Sequence, residues 1–583
     1  MGRHATDLNK LFLGLFCLIL FPFLSIGQGK IPPLERPMSL ELKGESTKEV
    51  LSKMEKLGGY TFAYRTDLVP ENDRLVRFYK DRTTREILDD LFQGKLTYKE
   101  RGNYIVLKPG AKVEDAGLSI SGYIVDAQSG RKVTYASVFD SLSLISAVSD
   151  EYGYYQLDFK KRKELVLTVR KEGYRDTSFN YRGSGHQLLT IELEPLLQED
   201  SALSKRLSGN LKKWMNRLRE FELSEEQKAN ISNFKERILR RSQVSLLPYI
   251  GTNGKLSGIT EVDYSFNVLG GFNGAVRRME IGGLFNMVWD SVSYLQIAGI
   301  FNLVGGKQQG LQIAGVTNLN DADFMGTQIS GVHNRVRGNL RGTQISGVYN
   351  SVGTSLSGMQ IAGLWNRCGN GSRGTQISGF GNVAGDQFQG LQLAPIMNVA
   401  QRMNGAQLAL FNFSDSISGT PFGLFSYSRK GLHQLELGVN EAWPYQVAFR
   451  TGVNSFYNIF SYALRFSGKE LTHWGLGYGL GSSVRLGRKT KIYLDLQSQL
   501  LRAYQLGGKT QFLHSVNMGL NWQLKRKLAF FIGPSVRLLQ SPMNAGNQFE
   551  RLYDLGPYSS IFEQSKNYNF KAWLGIQMGF RLF

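Results

Sequence analysis

The sequence predicts a mostly β protein, in which a small α/β domain and a β-sandwich precede a large transmembrane antiparallel β-barrel. Three observations lead to this fold class. A sixteen-residue repeat occupies the centre of the chain, long amphipathic strands follow it, and two short segments with apolar patterns of their own precede it. At 583 residues the chain has room for several domains.

Residues 1–27 have the pattern of a secretory signal peptide. Arg3 and Lys10 supply positive charge, Leu11 to Leu24 form an apolar core, and Ser25-Ile26-Gly27 offers small residues for cleavage. We therefore expect an exported protein.

Composition limits the partners. The formal charge is +21, but Lys and Arg are spread over several segments and no nucleic-acid recognition motif stands out. We expect anionic lipid as the partner and no nucleic acid. Of the two cysteines, Cys17 lies in the predicted signal peptide and Cys368 in the repeats, so no disulfide is expected within the mature chain.

Residues 30–110 predict an α/β domain in the order strand, helix, strand, strand, helix, strand. Each helix begins with a capping box, Ser46 with Glu49 and Thr83 with Glu86, and Gly94 is placed to end the second helix. Short strands are expected after both helices.

This segment resembles the short domain found at the N-termini of secretins and TonB-dependent transducers (STN). The matching residues are Leu57 to Phe62, Thr84 to Leu88, and Tyr98 with Tyr104 to Val106. The resemblance implies a periplasmic protein-interaction module.

Residues 118–196 predict short strands separated by turns that need Gly or Asp. The diagnostic stretches are Ser121 to Asp126, Ser129-Gly130, Ala136 to Val138, Ser149 to Leu157 and Lys171 to Tyr174. They resemble the carboxypeptidase regulatory-like domain, which implies a seven-stranded β-sandwich without catalytic function. In that family the domain often lies at the N-terminus of outer-membrane receptors.

Residues 197–244 predict a basic helical linker. Ser224 and Gln227 can cap a helix that carries Ile231, Phe234 and Ile238 on one face. Two interpretations stay open: a solvated connector, or helices docked on the membrane surface or the barrel mouth. The interval is too short for the plug domain of a TonB-dependent receptor.

The repeat is defined by Gln, a Gly three residues later and an Asn six residues after the Gln; in the copy that starts at Gln392 the Gly is replaced by Pro395. The Gln residues are Gln296, Gln312, Gln328, Gln344, Gln360, Gln376 and Gln392. The Asn residues are Asn302, Asn318, Asn334, Asn350, Asn366, Asn382 and Asn398. Degenerate copies at Glu280 and Gln407 extend the array to 280–412. Period-two alternation within each copy predicts strands with one amide-rich face and one apolar face.

Two architectures fit this repeat. In an antiparallel barrel, the Gln residues face the lumen and Ile297, Ile313, Ile329, Ile345 and Ile361 face lipid. In a parallel β-solenoid, identical amides stack into ladders and the side carrying Ile and Gly is the expected interior. The array also resembles the surface repeats of bacterial outer-membrane-associated proteins, a class without a common biochemical role.

The C-terminal third favours the barrel. Its predicted strands are Trp474 to Arg485, Lys491 to Leu501, Leu513 to Leu524, Leu528 to Leu538 and Ala572 to Phe583. Short and long connections alternate between them, as in outer-membrane barrels. The last residues, Gly579 to Phe583, resemble the terminal assembly signal of such barrels, although Phe583 falls one residue out of phase. We therefore assign the whole of 245–583 to a barrel that contains the repeats.

The sequence contains no convincing active site. His433 and Glu436 have the His-x-x-Glu spacing of zinc ligands, yet residues three apart in a strand point to opposite faces. No phosphate-binding loop or nucleophile–base set is evident. We therefore expect no catalytic, cofactor-binding or metal-ligating residues.

The expected function is that of a non-enzymatic outer-membrane β-barrel protein, acting as a channel, in transport or in signalling. Its N-terminal domains are expected in the periplasm, where they bind a protein partner. The alternative is a structural or adhesive surface protein with a solenoid of repeats.

Overall fold

The computed structural model describes residues 31–69, 73–109, 118–159, 164–196, 225–234, 236–467, 469–503, 510–542, 560–564 and 568–583. The predicted signal peptide and residues 197–224 of the predicted linker lie outside these ranges. The chain divides into two compact units, Met1–Lys205 and Arg206–Phe583. In the part of the chain that the structure describes, we find no helix long and apolar enough to cross a membrane.

The N-terminal unit begins with an α/β domain. Its elements are β1 Pro37–Glu45, α1 Thr47–Gly58, β2 Thr61–Ala63, β3 Leu75–Thr83, α2 Thr84–Phe92, β4 Leu96–Arg101 and β5 Tyr104–Pro109. Strand β1 pairs with β3 antiparallel, and β5 lies between β2 and β4 in a second sheet. Both predicted capping boxes are present. Helix α2 ends before Gly94, because Gln93 itself adopts the left-handed conformation at φ 46°.

Two small sheets follow, built from β6 Leu118–Asp126, β7 Ser137–Asp140, β8 Ser146–Val148, β9 Tyr154–Phe159, β10 Glu164–Arg170, β11 Thr177–Arg182, β12 Gly185–Leu188 and β13 Ile191–Leu193. One sheet has the order β11-β10-β7-β8, and in the other β6 pairs with β9, β12 and β13. They share one apolar core that includes Ile120, Val138 and Leu167. The described ranges thus contain eight short strands, where the resemblance implied seven.

The two small domains of this unit share a buried polar contact. Glu35 accepts hydrogen bonds from Arg85 Nε at 2.7 Å and from the Tyr123 hydroxyl at 3.3 Å. The Tyr123 hydroxyl also lies 3.0 Å from Thr83 Oγ1, and the Arg85 guanidinium stacks over the Tyr154 ring. Burial raises the pKa of Glu35, and the positive charge of Arg85 opposes that rise. The contact joins Glu35 and the N-terminus of helix α2 to the sandwich.

The first described element of the second unit is helix α3 Glu225–Asn233. Ile231 and Phe234 are buried, and Asn230 Nδ2 donates to the Lys255 carbonyl at 3.1 Å. The helical part of the linker prediction is therefore confirmed where the structure describes it. Its C-terminal boundary is wrong, since Ile238 already belongs to a strand. The predicted helical face ends at Phe234.

Residues 238–428 form a β-solenoid of about 10 turns. The longer strands of its turns are β14 Ile238–Leu247, β16 Thr260–Asn267, β18 Ala275–Gly282, β20 Val292–Ala298, β22 Gln308–Ala314, β24 Phe324–Ser330, β26 Leu340–Ser346, β28 Leu356–Ala362, β30 Ser372–Ser378, β32 Gln387–Leu393, β33 Met397–Leu408 and β34 Phe411–Phe422. The shorter strands are β15 Ile250–Gly251, β17 Gly270–Asn273, β19 Phe285–Val288, β21 Phe301–Val304, β23 Thr317–Asn320, β25 His333–Val336, β27 Tyr349–Val352, β29 Trp365–Cys368, β31 Gly381–Ala384 and β35 Phe425–Ser428.

The repeats pair parallel and in register. Gln312 lies beside Gln328, and Asn318 beside Asn334, so each strand pairs with the strand sixteen residues later. This overturns the assignment of residues 280–412 to an antiparallel barrel and bears out the solenoid alternative. A strictly constant sixteen-residue offset leaves no stagger between strands, whereas a closed barrel requires one.

The C-terminal strands form a closed antiparallel barrel of eight strands. They are β36 Leu432–Asn440, β37 Tyr445–Val453, β38 Phe456–Ser467, β39 Glu470–Arg485, β40 Thr490–Ala503, β41 Gln511–Lys525, β42 Leu528–Pro542 and β44 Tyr568–Leu582. Pairing of β36 with β44 closes the sheet, and β43 Ser560–Gln564 pairs with β44. The predicted barrel is thus confirmed for the C-terminal third, and all five predicted strands are present.

Candidate functional site

The outer wall of the barrel is apolar. Along β41, buried and exposed side chains alternate from Gln511 to Trp522, and the exposed set is apolar apart from the half-buried His514. The same alternation runs through β37 and β42. Large exposed apolar side chains on this wall include Leu435, Leu437, Val439, Val447, Phe449, Tyr462, Leu476, Ile492, Leu494, Leu496, Val516, Met518, Leu520, Trp522, Ile532, Val536, Leu538, Leu574, Ile576, Met578, Phe580 and Leu582. None of these residues is charged.

The interior of the barrel carries a compact group of four charges. Arg450 donates to Glu436 Oε2 and Asp495 Oδ2, both at 2.7 Å. Arg581 Nε donates to the same Glu436 oxygen at 2.8 Å. The four side chains are at most 3% exposed, so their opposite charges compensate each other in a region without solvent. They come from β36, β37, β40 and β44 and therefore tie the closing pair of strands to the rest of the barrel.

Aromatic side chains fill the space around these charges. The Tyr457 hydroxyl donates to Asp495 Oδ1 at 2.7 Å, and Arg581 stacks against the Tyr493 and Phe531 rings. Strand β39 makes room for them because four successive inward positions, Gly475, Gly477, Gly479 and Gly481, are glycines. A Cβ on Gly481 would lie 2.2 Å from the Tyr457 ring and 2.3 Å from the Asp495 carboxylate.

A second layer fills the interior toward the other end of the barrel. The connection between β36 and β37 places Trp443, which is fully buried, where its Nε1 donates to Gln499 Oε1 at 2.8 Å. Leu501, Leu539 and Trp573 belong to the same buried cluster. Eight-stranded barrels have interiors just wide enough for side chains to fill. At these two levels the described side chains occupy the lumen.

The last turn of the solenoid packs on the outside of the barrel. Asn458 and Thr451 are paired across β37 and β38 and point outward, yet both are fully buried. Asn458 Oδ1 accepts from the Ser426 N–H at 2.8 Å, and Thr451 Oγ1 donates to the Ser426 carbonyl at 3.0 Å. Phe422 also contacts Phe456, with ring centroids 4.9 Å apart. The solenoid therefore covers part of the wall next to the short connection between β37 and β38.

Inside the solenoid, the repeated amides form two ladders of opposite direction. Each Gln donates toward the N-terminus, as Gln344 Nε2 does to Gln328 Oε1 at 2.8 Å. Each Asn donates toward the C-terminus, as Asn334 Nδ2 does to Asn350 Oδ1 at 3.0 Å. That Asn334 Nδ2 also reaches the Ile345 carbonyl at 2.7 Å. All of these amides are fully buried, since each row satisfies its own hydrogen bonds.

Both expectations for the faces of the repeat were therefore wrong. The Gln residues line no lumen, and the side carrying Ile and Gly is the exterior of the solenoid, with Ile329 and Ile345 exposed. Apolar side chains do form an interior cluster, but at another part of the turn, with Phe324, Leu340 and Leu356 at its centre.

The Gln ladder ends on a buried acid. Glu280 occupies the Gln position of the first degenerate copy, and its carboxylate accepts from Gln296 Nε2 at 2.8 Å and from Asn273 Nδ2 at 2.8 Å. Asn267 Nδ2 donates to it at 3.0 Å. Burial raises the pKa of Glu280 to about 7, and these donors oppose the rise. A carboxylate suits this end because every neighbouring group donates.

His433 and Glu436, which have the spacing of zinc ligands, do not form a metal site. Glu436 points into the barrel and binds two arginines, whereas His433 points outward and packs on the Tyr427 ring at 4.7 Å. Among the described residues, no group of three or more His, Cys, Asp or Glu side chains could hold a metal ion.

Sequence reasoning missed the interior charges and the outward Asn458. A signal was present for the charges: single acidic or basic residues at inward positions of otherwise apolar strands, such as Asp495 in β40 and Arg581 in β44. No model of a known protein family matches the chain. No curated protein matches it either.

Proposed function

We propose that the barrel anchors this chain in the bacterial outer membrane and holds the solenoid and the N-terminal domains on its inner side. The observation that carries the proposal is the reversed polarity of the barrel, whose outer wall is apolar and whose buried interior contains charges and amides. In water this arrangement exposes a large apolar surface at high cost. In lipid the same surface is solvated, and the closed sheet leaves no backbone edge unpaired.

The filled interior supports an anchor rather than an open pore. The four buried charges and the Trp443 layer occupy the lumen, so we expect no passage for small solutes through the barrel itself. A filled interior therefore favours a barrel that supports domains acting elsewhere over a barrel that acts as a channel.

The direction of the barrel follows from its connections. Residues 454–455, 486–489 and 526–527 make the three connections at one end of the barrel, and all three are short. The other end has two short connections, 441–444 and 468–469, and two longer ones that include residues 504–510 and 543–559. Outer-membrane barrels have short turns inside and long loops outside. The solenoid enters β36 at the short-turn end, which supports an inner location for it and for the domains before it.

The N-terminal domains supply the interaction function in this proposal. Residues 30–110 resemble the STN domain and residues 118–196 the carboxypeptidase regulatory-like domain, and both resemblances imply a non-enzymatic role. We infer that they bind a periplasmic protein. A surface-exposed structural or adhesive protein is the competing proposal, and it requires the opposite orientation.

Fractionation and proteolysis test location and orientation together. The chain should sediment with the outer membrane and migrate faster on a gel before heating than after, because closed barrels resist unfolding in detergent. Protease added to intact cells should leave the N-terminal domains uncut. Recovery in the soluble periplasm refutes the anchor, and cleavage with an intact membrane supports the surface protein instead.

A matched pair of substitutions tests lipid contact directly. Leu496 lies in the middle of β40 on the outer wall, and Leu486 is exposed in a short connection. Arg at the lipid-facing midplane costs about 2–4 kcal/mol and near the interface about 0–1 kcal/mol. We expect Leu496→Arg to lower the free energy of unfolding in vesicles by the larger amount and Leu486→Arg by the smaller. Equal effects would contradict a lipid-facing wall.

A further inference from the structure

One corner of the solenoid carries apolar side chains that are exposed or half-buried along its length. Two columns of side chains form it. The first consists of the residue directly after each Gln position of the ladder, and the second of the residue directly after each Gly position of the repeat. The first comprises Ile281, Ile297, Ile313, Ile329, Ile345, Ile361, Ile377, Leu393, Leu408 and Phe422. The second comprises Leu284, Ile300, Val316, Val332, Val348, Leu364, Phe380, Ile396, Leu410 and Leu424. We call these two columns the apolar edge; they contain no polar or charged residue.

The side chains of the apolar edge are held outward by the ladders beneath them. The interior at this corner is occupied by fully buried Gln and Asn amides. Backbones also approach too closely there to admit a side chain, since a Cβ on Gly331 would lie 2.1 Å from the Gly315 carbonyl oxygen. Val348 and Leu364 thus remain 38% and 48% exposed.

Another part of each turn carries charged and polar side chains beside a few apolar ones. A groove of about 820 Å³ runs across several turns there and is lined by residues that include Lys307, Asp323, Asn339, Arg341 and Arg373. The groove thus collects charged residues that the apolar edge lacks, and this contrast makes the solenoid amphipathic in the way that an interfacial helix is.

The apolar edge runs into the outer wall of the barrel. Its last members are Phe422 and Leu424; Phe422 contacts Phe456 on the outward face of β38, and Leu424 is exposed. Neighbouring turns of parallel strands are about 4.8 Å apart, so about ten turns give an edge on the order of 45 Å long. The apolar edge therefore meets the apolar barrel wall at Phe456.

We propose that the apolar edge is a lipid-binding surface, by which the solenoid lies in the inner face of the membrane that holds the barrel. The inference rests on the proposed membrane anchor and extends it to the repeats. In several copies the residue directly after the second column is aromatic, as at Phe301, Tyr349 and Trp365. Aromatic side chains favour the boundary between acyl chains and headgroups.

Fluorescence quenching in vesicles tests the proposal on the full chain. Val348→Cys reports the apolar edge, Arg341→Cys the groove side of the same turn, and Leu496→Cys the barrel wall. Each carries an environment-sensitive dye, and two vesicle preparations contain a lipid with a quencher attached either near the headgroup or near the end of the acyl chain. Native Cys368 is buried and burial raises its thiol pKa to about 11, so the unsubstituted chain serves as the labelling blank.

We expect the acyl-chain quencher to act on Leu496 and the headgroup quencher to act on Val348, each severalfold more strongly than either quencher acts on Arg341. If Leu496 is quenched and Val348 behaves like Arg341, the edge does not contact lipid and the proposal is overturned while the anchor stands. If the dye at Val348 is shielded from water but not quenched, a protein or a second copy covers the edge, and the proposal is equally overturned. Absence of quenching at Leu496 refutes the membrane anchor and the lipid-bound edge together.

Discussion

Glu280 makes the stability of the solenoid dependent on pH. Its side chain is fully buried at the first rung of the Gln ladder, and burial raises its pKa to about 7 from an ordinary value of 4.5. A carboxyl whose pKa is higher in the folded state favours folding when it is protonated. The full stability contribution is thus present below about pH 4.5 and is lost as the pH rises through 7.

The size of the effect follows from the shift. One unit of pKa corresponds to about 1.4 kcal/mol, so a shift from 4.5 to about 7 is worth on the order of 3 kcal/mol. Most of this change falls between pH 5 and pH 8. Glu280→Gln removes the charge, but it turns an amide N–H₂ toward the Asn267 and Asn273 donors. We expect the variant to lose about 1 kcal/mol at pH 5, where the wild-type acid is protonated.

Urea titration followed by a brief protease pulse measures this stability in detergent, where the barrel stays folded. The wild-type solenoid should unfold at lower urea at pH 8 than at pH 5, and Glu280→Gln should have nearly equal midpoints. Asp386→Asn is the matched control, because Asp386 forms an exposed ion pair with Arg402 on a turn of the same solenoid. It should keep the wild-type difference between the two pH values. Equal pH dependence in Glu280→Gln and wild type would refute the reasoning.

Three further substitutions probe other parts of the second unit. Asn334→Ala removes bonds to Asn318, Asn350 and the Ile345 carbonyl and should cost about 2–4 kcal/mol in the same urea assay, whereas exposed Asn339→Ala should cost under about 1 kcal/mol. Gly342→Ala places a Cβ 1.9 Å from the Gly326 carbonyl oxygen and should cost more than about 3 kcal/mol; Gly371→Ala, with a free environment but φ +65°, should cost about 1 kcal/mol. Arg450→Met leaves buried carboxylates without full compensation and should lower barrel stability by about 3–5 kcal/mol, measured as loss of the fast-migrating gel band on heating, with Arg488→Met unchanged. In each pair the interior variant should lose more stability than its exposed control. The opposite order would contradict the structural role given to that interior residue.

The local elements of the chain were predictable where the pattern depends on neighbouring residues. The capping boxes at Ser46 and Thr83 begin helices, and the alternating C-terminal strands are present within a few residues of their predicted ends. Both signals arise from contacts within a turn or across a strand, so a single sequence contains them. Whether the small domains belong to the families they resemble stays a prediction.

The arrangement of the repeats was harder to predict because the motif is nearly symmetric about its Gly. Antiparallel pairing would have placed Gln opposite Asn, and parallel pairing places each amide beside its own copy. A row of identical amides satisfies donor and acceptor at every step, whereas the strict period leaves no shear for a barrel. The constant spacing was thus the decisive observation, and the neighbouring barrel strands were the misleading one.

The interior of the barrel could not be assembled from the sequence. Glu436 is 14 residues from Arg450 and 145 residues from Arg581, and the three meet only because β44 pairs with β36. The contact of Ser426 with Asn458 likewise depends on where the solenoid ends against the wall. Long-range closure brings these groups together, and no local pattern encodes it.

The placement of amides and apolar residues argues for lipid beside the solenoid as well as the barrel. A solenoid in water gains stability when Ile and Val fill its interior, as Val336 and Val352 do at the apolar cluster. At the other corner the Gln and Asn ladders occupy the interior, and Ile345 and Val348 lie outside. In water these two exposed side chains contribute no hydrophobic stabilisation, because they are not buried. Lipid contact recovers that lost contribution, and the exposed corner joins the barrel wall at Phe422 and Phe456. Under the proposed membrane anchor, the same division, with polar groups inside and apolar groups outside, would stabilise both halves of the unit in one membrane.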